Sequence, residues 1–485
     1  MLNIWVDEAY TLETSGTLAR ALASETGHPP GYFMLLFAWR QVASSLFFAR
    51  LLSVACTALT LLLLARASRR FLPQLHEGWV AAVAAWHPLT LWAASEARPY
   101  ALVMLLSASL LLLLHRAFMS ERATRSDRLA YAGVACLALY TQYYLGFLLA
   151  ANVAALVGLR RWRAARDYLL WMLLVAFVCA PLALMIAGHI AVQAQATLPV
   201  PLSRAIKSVL ILLEGFVSSL DFLPNEGLFL RNLTVFDPGG IVRWACRLAM
   251  LLLMAAAHRP RLHRRGRLEP GPIALGLILL AQGGLFVAVM AALGGPLAEA
   301  RHSVSLLVPA LLVFFAVFSP GRPRAPLAAA TGLLLLSNAA AACADFAPLA
   351  KRGDHARVAA YIAGAEAPGQ PIFVFPSESA APFAHHYRGR NRIVPLPAPA
   401  KAWNPRDFAF TSEAQVAQAL EQGLSGAREC WLFTEHVEIY DEVPLRVDLL
   451  ESVVAERFVL LDKRHFYGAQ LRKLRLRDAP AAAPP

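Results

Sequence analysis

Residues 46–65 read LFFARLLSVACTALTLLLLA, an apolar run of 20 residues that carries a single charge, Arg50. A helix of about 20 apolar residues crosses the ~30 Å hydrocarbon core of a bilayer, so the run predicts a membrane-spanning helix. Arg66, Arg69 and Arg70 follow it directly. Basic residues mark the cytoplasmic end of a membrane helix, and the run therefore also predicts an orientation.

The same pattern recurs along the chain and predicts about ten spans. They are Leu46–Ala65, Gly78–Ala94, Ala97–Leu114, Leu129–Thr141, Tyr143–Leu159, Tyr168–Ala187, Ile241–Ala257, Pro272–Leu293, Ser303–Phe318 and Ala325–Ala344. Clusters of arginine follow the first, third, fifth, seventh and ninth spans. Basic residues thus mark every second loop, as the positive-inside rule requires if those loops are cytoplasmic.

The composition agrees with a membrane protein. The 485 residues are 58% hydrophobic and 16% charged, with a mean hydropathy of +0.51. The net charge of +13 comes mostly from arginines between the apolar runs, which favours topology over nucleic-acid binding as its cause. Six cysteines offer neither a disulfide framework nor a CxxC metal motif. The richness in Ala, Leu and Arg is typical of a bacterial protein.

Alternation of the loops assigns three regions to the outer face of the membrane: residues 1–45, residues 188–240 and everything after Asp345. Within the second region, the apolar segment 205–220 carries Lys207 and Glu214. We interpret it as an amphipathic helix on the outer surface. An outer N-terminal segment without a preceding span is hard to deliver, so we expect that a first transmembrane helix is missing from this open reading frame.

The composition changes after residue 344. A helix is predicted at His355–Ala365, and strands are predicted at Ile372–Phe375, Cys430–Thr434 and Phe458–Leu461. The fold class is therefore an α-helical polytopic membrane protein with a small C-terminal α/β soluble domain. The predicted parts are an outer segment with juxtamembrane helices (1–45), a transmembrane domain (46–344), a periplasmic domain (345–478) and a disordered tail (479–485).

Two adjacent acids, Asp7 and Glu8, lie in the segment WVDEAYT. A structural interpretation is available, because Asp is a favoured N-cap and acidic groups suit the first turn of a helix. A chemical interpretation is a general base that faces an acceptor, with the neighbouring acid in support. Position on the outer face, beside other polar groups, favours the chemical interpretation.

The outer turns carry further polar residues. Glu96, Arg98 and Tyr100 lie in SEARPY, where a local Glu–Arg pair in a turn is the structural alternative to phosphate binding by Arg98. Tyr143 and Tyr144 could be interfacial aromatics or substrate contacts. His28, in HPPGYF, could equally be a solvated loop residue. A later outer turn supplies Glu299, Arg301 and His302.

Five motifs in this order and spacing, WVDEAYT, HPPGYF, RLLS at Arg50–Ser53, SEARPYAL and LYTQYYLGF, resemble the GT-C glycosyltransferases. The similarity is to the protein-mannosyltransferase and aminoarabinose-transferase superfamily, particularly bacterial members with a C-terminal periplasmic domain. It covers residues 1–345 well and the C-terminal domain in outline. The chain departs from the family by lacking the first span.

The resemblance implies a sugar donor carried on polyprenyl phosphate and an active site at the outer surface of the bacterial cytoplasmic membrane. Asp7 is expected to be the general base and Glu8 the second acid. Arg98 and Arg301 are expected to bind the donor phosphate. The remaining candidates for substrate binding are His28, Glu96, Tyr100, Tyr143, Tyr144 and His302. The acceptor would be an envelope glycan, lipid or protein, and a divalent metal near the acids is possible.

Two other classes of protein remain open. A transporter or flippase of a lipid-linked or envelope substrate would bury ionisable groups near the midplane and interrupt its helices. Polar groups at the span ends favour the transferase instead. Alternatively, the helices could anchor a functional C-terminal domain whose site includes His385, His386 and Tyr387. Adjacent histidines do not share a helix face, so a metal site there is improbable.

Overall fold

The computed structural model describes residues 4–24, 28–185, 201–215, 238–258, 269–293, 302–318, 324–345, 354–399, 405–435, 439–440 and 443–477. The chain forms two compact units. One comprises residues 14–350, and the other joins residues 1–13 to residues 351–485. Helix α1 (Val6–Thr14) carries the chain from the second unit into the first.

The unit of residues 14–350 is helical. Its helices are α2 (Leu18–Ala23), α3 (Gly31–Arg40), α4 (Leu46–Phe71), α5 (Glu77–Trp86), α6 (Pro88–Ala94), α7 (Tyr100–Leu114), α8 (Arg125–Thr141), α9 (Leu145–Gly158), α10 (Trp162–Val178), α11 (Leu202–Gly215), α12 (Pro238–His258), α13 (Pro270–Leu293), α14 (Leu307–Val317) and α15 (Arg324–Asp345). A π-helical turn, His115–Met119, extends α7, and a 3₁₀ turn, Val304–Leu306, precedes α14.

Four of these described helical segments are long and apolar enough to cross a membrane: Leu46–Phe71, Tyr100–Met119, Pro270–Ala292 and Ala325–Cys343. Shorter apolar helices accompany them at Leu145–Gly158, Leu248–Ala257 and Val304–Val317. The prediction of a helical membrane protein is thereby confirmed. The number of crossings and the predicted domain bounds stay predictions.

The predicted span Gly78–Ala94 was wrong in one respect, because two helices occupy it. His87 leaves the helical conformation (φ −66°, ψ 129°), and its Nδ1 accepts a hydrogen bond from the backbone N–H of Leu89 at 3.2 Å. Pro88 is the cause: it restricts the preceding residue to extended backbone and is well suited to a first helical turn. The chain therefore ends α5 at Trp86 and begins α6 at Pro88.

Polar contacts within the helical unit tie neighbouring helices together. The Tyr168 hydroxyl donates to the Leu149 carbonyl at 2.8 Å and lies 2.9 Å from the Tyr131 hydroxyl. The Asn152 amide donates to Tyr131 at 2.8 Å. Such bonds are sheltered from water and hold α8, α9 and α10 in register.

Helix α11 coincides with the first part of the predicted amphipathic segment. Ala205 and Val209 are buried against the unit, whereas Lys207 and Leu210 are exposed. Val209 faces α13, where a Cβ on Gly283 would lie 3.7 Å from its methyl carbon. The described residues thus support an amphipathic helix, and its location on the outer surface stays a prediction.

The C-terminal part of the second unit is an α/β fold. Its elements are α16 (His355–Ala365), β1 (Ile372–Phe375), α17 (Ala380–His386), β2 (Ile393–Pro395), α18 (Glu413–Leu424), β3 (Glu429–Glu435), β4 (Ile439–Tyr440), β5 (Val443–Pro444), α19 (Val447–Arg457), β6 (Phe458–Phe466) and β7 (Ala469–Leu476). Five strands form one sheet in the order β2-β1-β3-β7-β6. The strands β2, β1 and β3 are parallel, and β7 and β6 are antiparallel to their neighbours.

Alternation along the strands creates a core on each face of the sheet. In β1, Phe373 and Phe375 enter the cluster that contains residues of α18 and α19. Ile372 and Val374 enter the opposite cluster, which contains residues of α16. Because successive side chains of a strand point to opposite faces, a strand covered on both sides is apolar throughout.

The predicted elements of this domain largely coincide with the structure. The helix His355–Ala365 and the strand Ile372–Phe375 have the predicted bounds, and Cys430–Thr434 lies inside β3. The predicted strand Phe458–Leu461 is the start of the longer β6. The sequence interpretation missed β2 and β7, and the predicted tail 479–485 lies outside the described residues.

Candidate functional site

The two acids occupy the first turn of α1. Asp7 is partly exposed, and Glu8 is fully buried. Since α1 begins at Val6, both acids follow the helix start, where carboxylates interact favourably with the helix dipole. Residues 1–13 cluster with residues 351–485, whereas the other candidate residues belong to the helical unit.

The HPPGYF segment is packed against the end of α8. A Cβ atom on Gly31 would lie 2.5 Å from the backbone oxygen of Tyr140, so only glycine permits this approach. His28 is half-buried, and its ring meets Phe33 edge-on with centroids 6.4 Å apart. Two motifs that are distant in sequence, HPPGYF and LYTQYYLGF, therefore meet in the helical unit.

The SEARPY turn is buried within the protein, and its expected place on the outer side of the membrane stays a prediction. Glu96, Arg98 and Tyr100 are each at most 4% exposed. The Ser53 hydroxyl donates to the Glu96 carbonyl at 2.5 Å, which connects the RLLS motif of α4 to this turn. The guanidinium carbon of Arg98 lies 5.9 Å from the centroid of the Tyr100 ring. A guanidinium is costly to bury alone, so interactions with neighbouring groups have to offset this cost.

Tyr144 and His302 also come together. Their rings are 6.1 Å apart in an edge-on arrangement, and Tyr144 lies 5.8 Å from Phe286. The contact connects the turn after α8 to the segment before α14. Arg301, the neighbour of His302, lies outside the described residues.

Tyr143 lines a cavity of about 200 Å³ whose other walls are almost entirely apolar. The walls come from α8 and from the chain at and after the end of α10: Leu139, Ala176, Cys179, Ala180, Leu182 and Ala183. The buried Tyr143 hydroxyl has no hydrogen-bond partner within the described part of the chain. A hydroxyl at the rim of an apolar cavity can bind the polar end of an amphipathic molecule.

Two residues of this region were missed from the sequence. The Trp92 ring contacts the Tyr100 ring at a tilt of 32° with centroids 4.8 Å apart, and the Phe286 ring meets the Phe147 ring at 4.9 Å. The restart of a helix at Pro88 was the available signal for Trp92, because it places that residue one turn before the SEARPY segment. No sequence signal pointed to Phe286, which lies within a uniformly apolar helix.

The C-terminal histidines lie next to each other at the end of α17. His385 and His386 end α17 with ring centroids 5.1 Å apart, and across the described residues no group of three His, Cys, Asp or Glu side chains is placed to hold a metal. The Tyr387 hydroxyl donates to Glu366, and burial together with this carboxylate raises the pKa of Tyr387 to about 12. Glu366 also accepts from Asn391 and the Arg390 N–H, so the contact fixes a loop.

The described residues define a helical membrane protein with a small C-terminal α/β domain. The fold is similar to the crystal structure of ArnT from Cupriavidus metallidurans bound to undecaprenyl phosphate. The identity is 11% and the TM-score 0.55, over 98% of this chain and 94% of that chain. The apo structure of the same protein matches with 12% identity and a TM-score of 0.43 over the same shares. No protein-family model and no curated protein matches the chain.

Proposed function

We propose that the protein is a glycosyltransferase that moves a sugar from a polyprenyl-phosphate donor to an acceptor at the outer face of the bacterial cytoplasmic membrane. The observation that carries the proposal is the likeness in fold, over 98% of the chain, to a protein solved with undecaprenyl phosphate. The contacts between the motifs of the helical unit support it, because they gather polar groups at helix ends. The acceptor would be an envelope glycan, lipid or protein.

The proposed reaction forms a bond between the acceptor oxygen and the anomeric carbon while the bond from that carbon to the phosphate oxygen breaks. The electron pair of the broken bond leaves with the polyprenyl phosphate. Asp7 takes the proton of the acceptor hydroxyl as general base, and Glu8 supports it. Arg98 and Arg301 stabilise the leaving phosphate through bidentate hydrogen bonds. A divalent metal near the acids would add to this charge stabilisation.

The other candidates receive binding roles. Tyr143, Tyr144 and His302 would contact the donor near its phosphate, since an apolar cavity and an aromatic cluster adjoin these side chains. His28, Glu96 and Tyr100 would position the sugar or the phosphate. The proposal also includes the predicted domain organisation, in which residues 345–478 form a periplasmic domain.

A flippase is the second candidate, because one described feature favours it. Transporters interrupt their helices near the binding site, and the chain breaks a helix at His87, whose side chain is fully buried. A flippase moves a lipid-linked sugar across the bilayer without breaking a covalent bond. An assay of sugar transfer in detergent micelles therefore distinguishes a glycosyltransferase from a flippase, because micelles offer no bilayer to cross.

The test uses the full chain purified in detergent. Lipid and envelope fractions from a deletion strain provide the donor and the acceptor, and mass spectrometry follows release of polyprenyl phosphate and gain of sugar mass on the acceptor. We expect transfer by the wild type and its loss, by a factor of roughly 10² or more, in Asp7→Asn.

Glu13→Gln is the matched control, because Glu13 is an exposed carboxylate on the same helix. Full activity of Asp7→Asn would refute the assigned base. Absence of transfer by the wild type, with movement of the lipid-linked sugar in proteoliposomes, would establish the flippase instead.

A further inference from the structure

The last strand of the C-terminal sheet exposes apolar side chains. Strand β6 is at the edge of the sheet and pairs only with β7 among the described strands. Val459, Leu460 and Leu461 are 43%, 51% and 38% exposed, whereas Leu471 and Leu474 of β7 are buried. Exposed edge strands promote association, and soluble domains usually protect them with charges or cover. Three consecutive exposed apolar residues at this edge therefore indicate a contact surface.

Basic residues adjoin the apolar run. Lys463, Arg464 and His465 are exposed on the same strand, and Arg477 is exposed directly after β7. Arg464 pairs with Asp462 at 3.3 Å, and Lys463 forms no ion pair with any residue that the structure describes. In the pairing with β7, Leu460 and Lys463 lie on one face of the strand, and Val459 and Arg464 lie on the other. The edge formed by residues 459–465, here called the β6 edge, therefore presents an exposed apolar side chain and an exposed basic side chain on each face.

The basic residues of the neighbouring strand, β7, are paired with acids of the same domain. Arg472 donates to both carboxylate oxygens of Glu451 at 2.5 and 2.7 Å, and Arg475 donates to Glu429 at 2.7 Å. Lys473 lies 3.7 Å from the same Glu429 carboxylate. The cations of β7 are therefore paired with acids within the domain, whereas Lys463 of the β6 edge has no such acidic partner among the described residues.

We propose that the β6 edge binds the surface of an anionic lipid bilayer. Val459, Leu460 and Leu461 insert among the lipids, and Lys463 and Arg464 contact the anionic headgroups. Apolar side chains beside cations are the combination that interfacial segments use. Eight residues, 346–353, join α15 to the first described residue of the domain, so the domain is tethered to a bilayer by its own chain.

The backbone of β6 favours a lipid surface over the addition of a partner strand. The pairing of β6 with β7 shifts between Leu460 and Asp462, which marks a β-bulge with Leu461 as the extra residue. Bulges twist an edge and interrupt its regular hydrogen-bonding groups, which hinders pairing with another strand. Contact with lipid requires only side chains and is unaffected by the bulge.

The test is hydrogen exchange of the full-length protein in nanodiscs, read by mass spectrometry. One set of nanodiscs contains phosphatidylcholine alone, and the other contains an equal share of phosphatidylglycerol. We expect exchange in peptides that cover residues 458–466 to slow by roughly tenfold in the anionic nanodiscs. Peptides from α18, on another part of the domain, should exchange equally in both.

Two variants separate charge from packing. Lys463→Glu with Arg464→Glu should remove the lipid-dependent protection, and Leu460→Gln with Leu461→Gln should reduce it while charge is unchanged. The matched control is Arg388→Glu with Arg390→Glu, which makes the same charge change at exposed positions between α17 and β2. Peptides from β1 report whether each variant remains folded.

Equal exchange of residues 458–466 in both kinds of nanodisc would overturn the proposal. Equal loss of protection in the control variant would also overturn it, because the effect would then follow net charge and not the β6 edge. Protection that depends on protein concentration, without dependence on lipid, would identify a second copy of the chain as the partner and refute the lipid contact.

Discussion

The two compact units place leucine in opposite environments. In the helical unit, Leu173 is 66% exposed and Phe177 is 80% exposed, as expected for helices that face lipid. In the α/β domain, Leu420 and Leu432 are buried in the core on one face of the sheet. Burial of apolar area stabilises the domain, whereas lipid offers the helices equally apolar surroundings.

The two units therefore depend on different contacts for their stability. Without a hydrophobic driving force between them, membrane helices associate through close backbone approach at small residues. A Cβ on Gly271 of α13 would lie 2.1 Å from the backbone oxygen of Phe71 at the end of α4. In the domain, a Cβ on Gly423 would meet a side chain instead, the Phe373 ring, at 2.2 Å. Two backbones in close contact cannot move apart without displacing a helix, whereas an aromatic ring can shift to accommodate an added methyl group.

The largest expected effect is that of Gly271→Ala. Its methyl group would overlap the Phe71 carbonyl, and separating α13 from α4 should cost about 3 kcal/mol or more. We expect the melting temperature of the purified protein in detergent, measured by tryptophan fluorescence, to fall by at least roughly 5 °C.

Gly276→Ala is the control on the same helix, because no atom lies within 4 Å of the added Cβ. Alanine there should leave stability unchanged or raise it by up to about 1 kcal/mol through helix propensity. Equal melting temperatures for the two variants would show that the α4–α13 contact yields easily, and the proposed contrast between the units would fail.

Gly423→Ala should have an intermediate effect, about 1–3 kcal/mol, because the buried Phe373 ring has to shift within a packed core. Hydrogen exchange of β1 peptides is the measurement, since it reports the domain separately from the helices. Gly364→Ala, on α16 with open space around it, is the control and should slow exchange slightly. A larger loss for Gly423→Ala than for Gly271→Ala would reverse the comparison.

The sequence predicted the helices well where the length of an apolar run alone identifies a membrane-spanning helix. Residues 46–65 coincide with most of α4, and basic residues follow as expected. The sequence also located β1, which lies between Pro371 and Pro376. The break at His87 was missed because a run of apolar residues continues through it. The dipeptide His87-Pro88 was visible, but apolar length outweighed it in the interpretation.

The candidate residues were identifiable by type, but their contacts were not. Nothing local to Gly31 shows that Tyr140 lies against it, and nothing local to Ser53 shows that its hydroxyl reaches Glu96. Those contacts depend on how distant helices pack. Strand β7, AQLRKLRL, was missed for a related reason: its charged residues suggest a solvated segment, whereas acids on α19 and β3 pair with them.

Tyr168→Phe tests the polar contacts of the helical unit. It removes the hydroxyl that donates to the Leu149 carbonyl and contacts Tyr131. Hydrogen bonds between membrane helices contribute about 0.6 kcal/mol on average, so we expect a small fall in the melting temperature. Tyr140→Phe is the control, because within the described part of the chain its exposed hydroxyl makes one hydrogen bond, of 3.3 Å, to the Val178 carbonyl. A fall as large as that of Gly271→Ala would make polar contacts, and not close approach, the main support of this unit.

The smallest effect concerns the acids of the α/β domain. Hydrogen bonds from Tyr361 and Arg464 hold the pKa of Asp462 below its usual value, and Arg475 with Lys473 and Gln370 does the same for the pKa of Glu429. A lowered pKa in the folded state adds stability above the unfolded pKa of about 4, and this stability is lost as the pH falls towards the folded pKa. Melting temperatures measured from pH 6 to pH 3 should therefore decline at the acid end.

Asp462→Asn should reduce this acid-dependent loss of folding stability by less than about 1 kcal/mol, because solvent screens these partly exposed pairs. Glu421→Gln, an exposed acid of α18, is the control. A steeper decline in Asp462→Asn than in the wild type would contradict the assigned sign and show that Asp462 destabilises the folded domain.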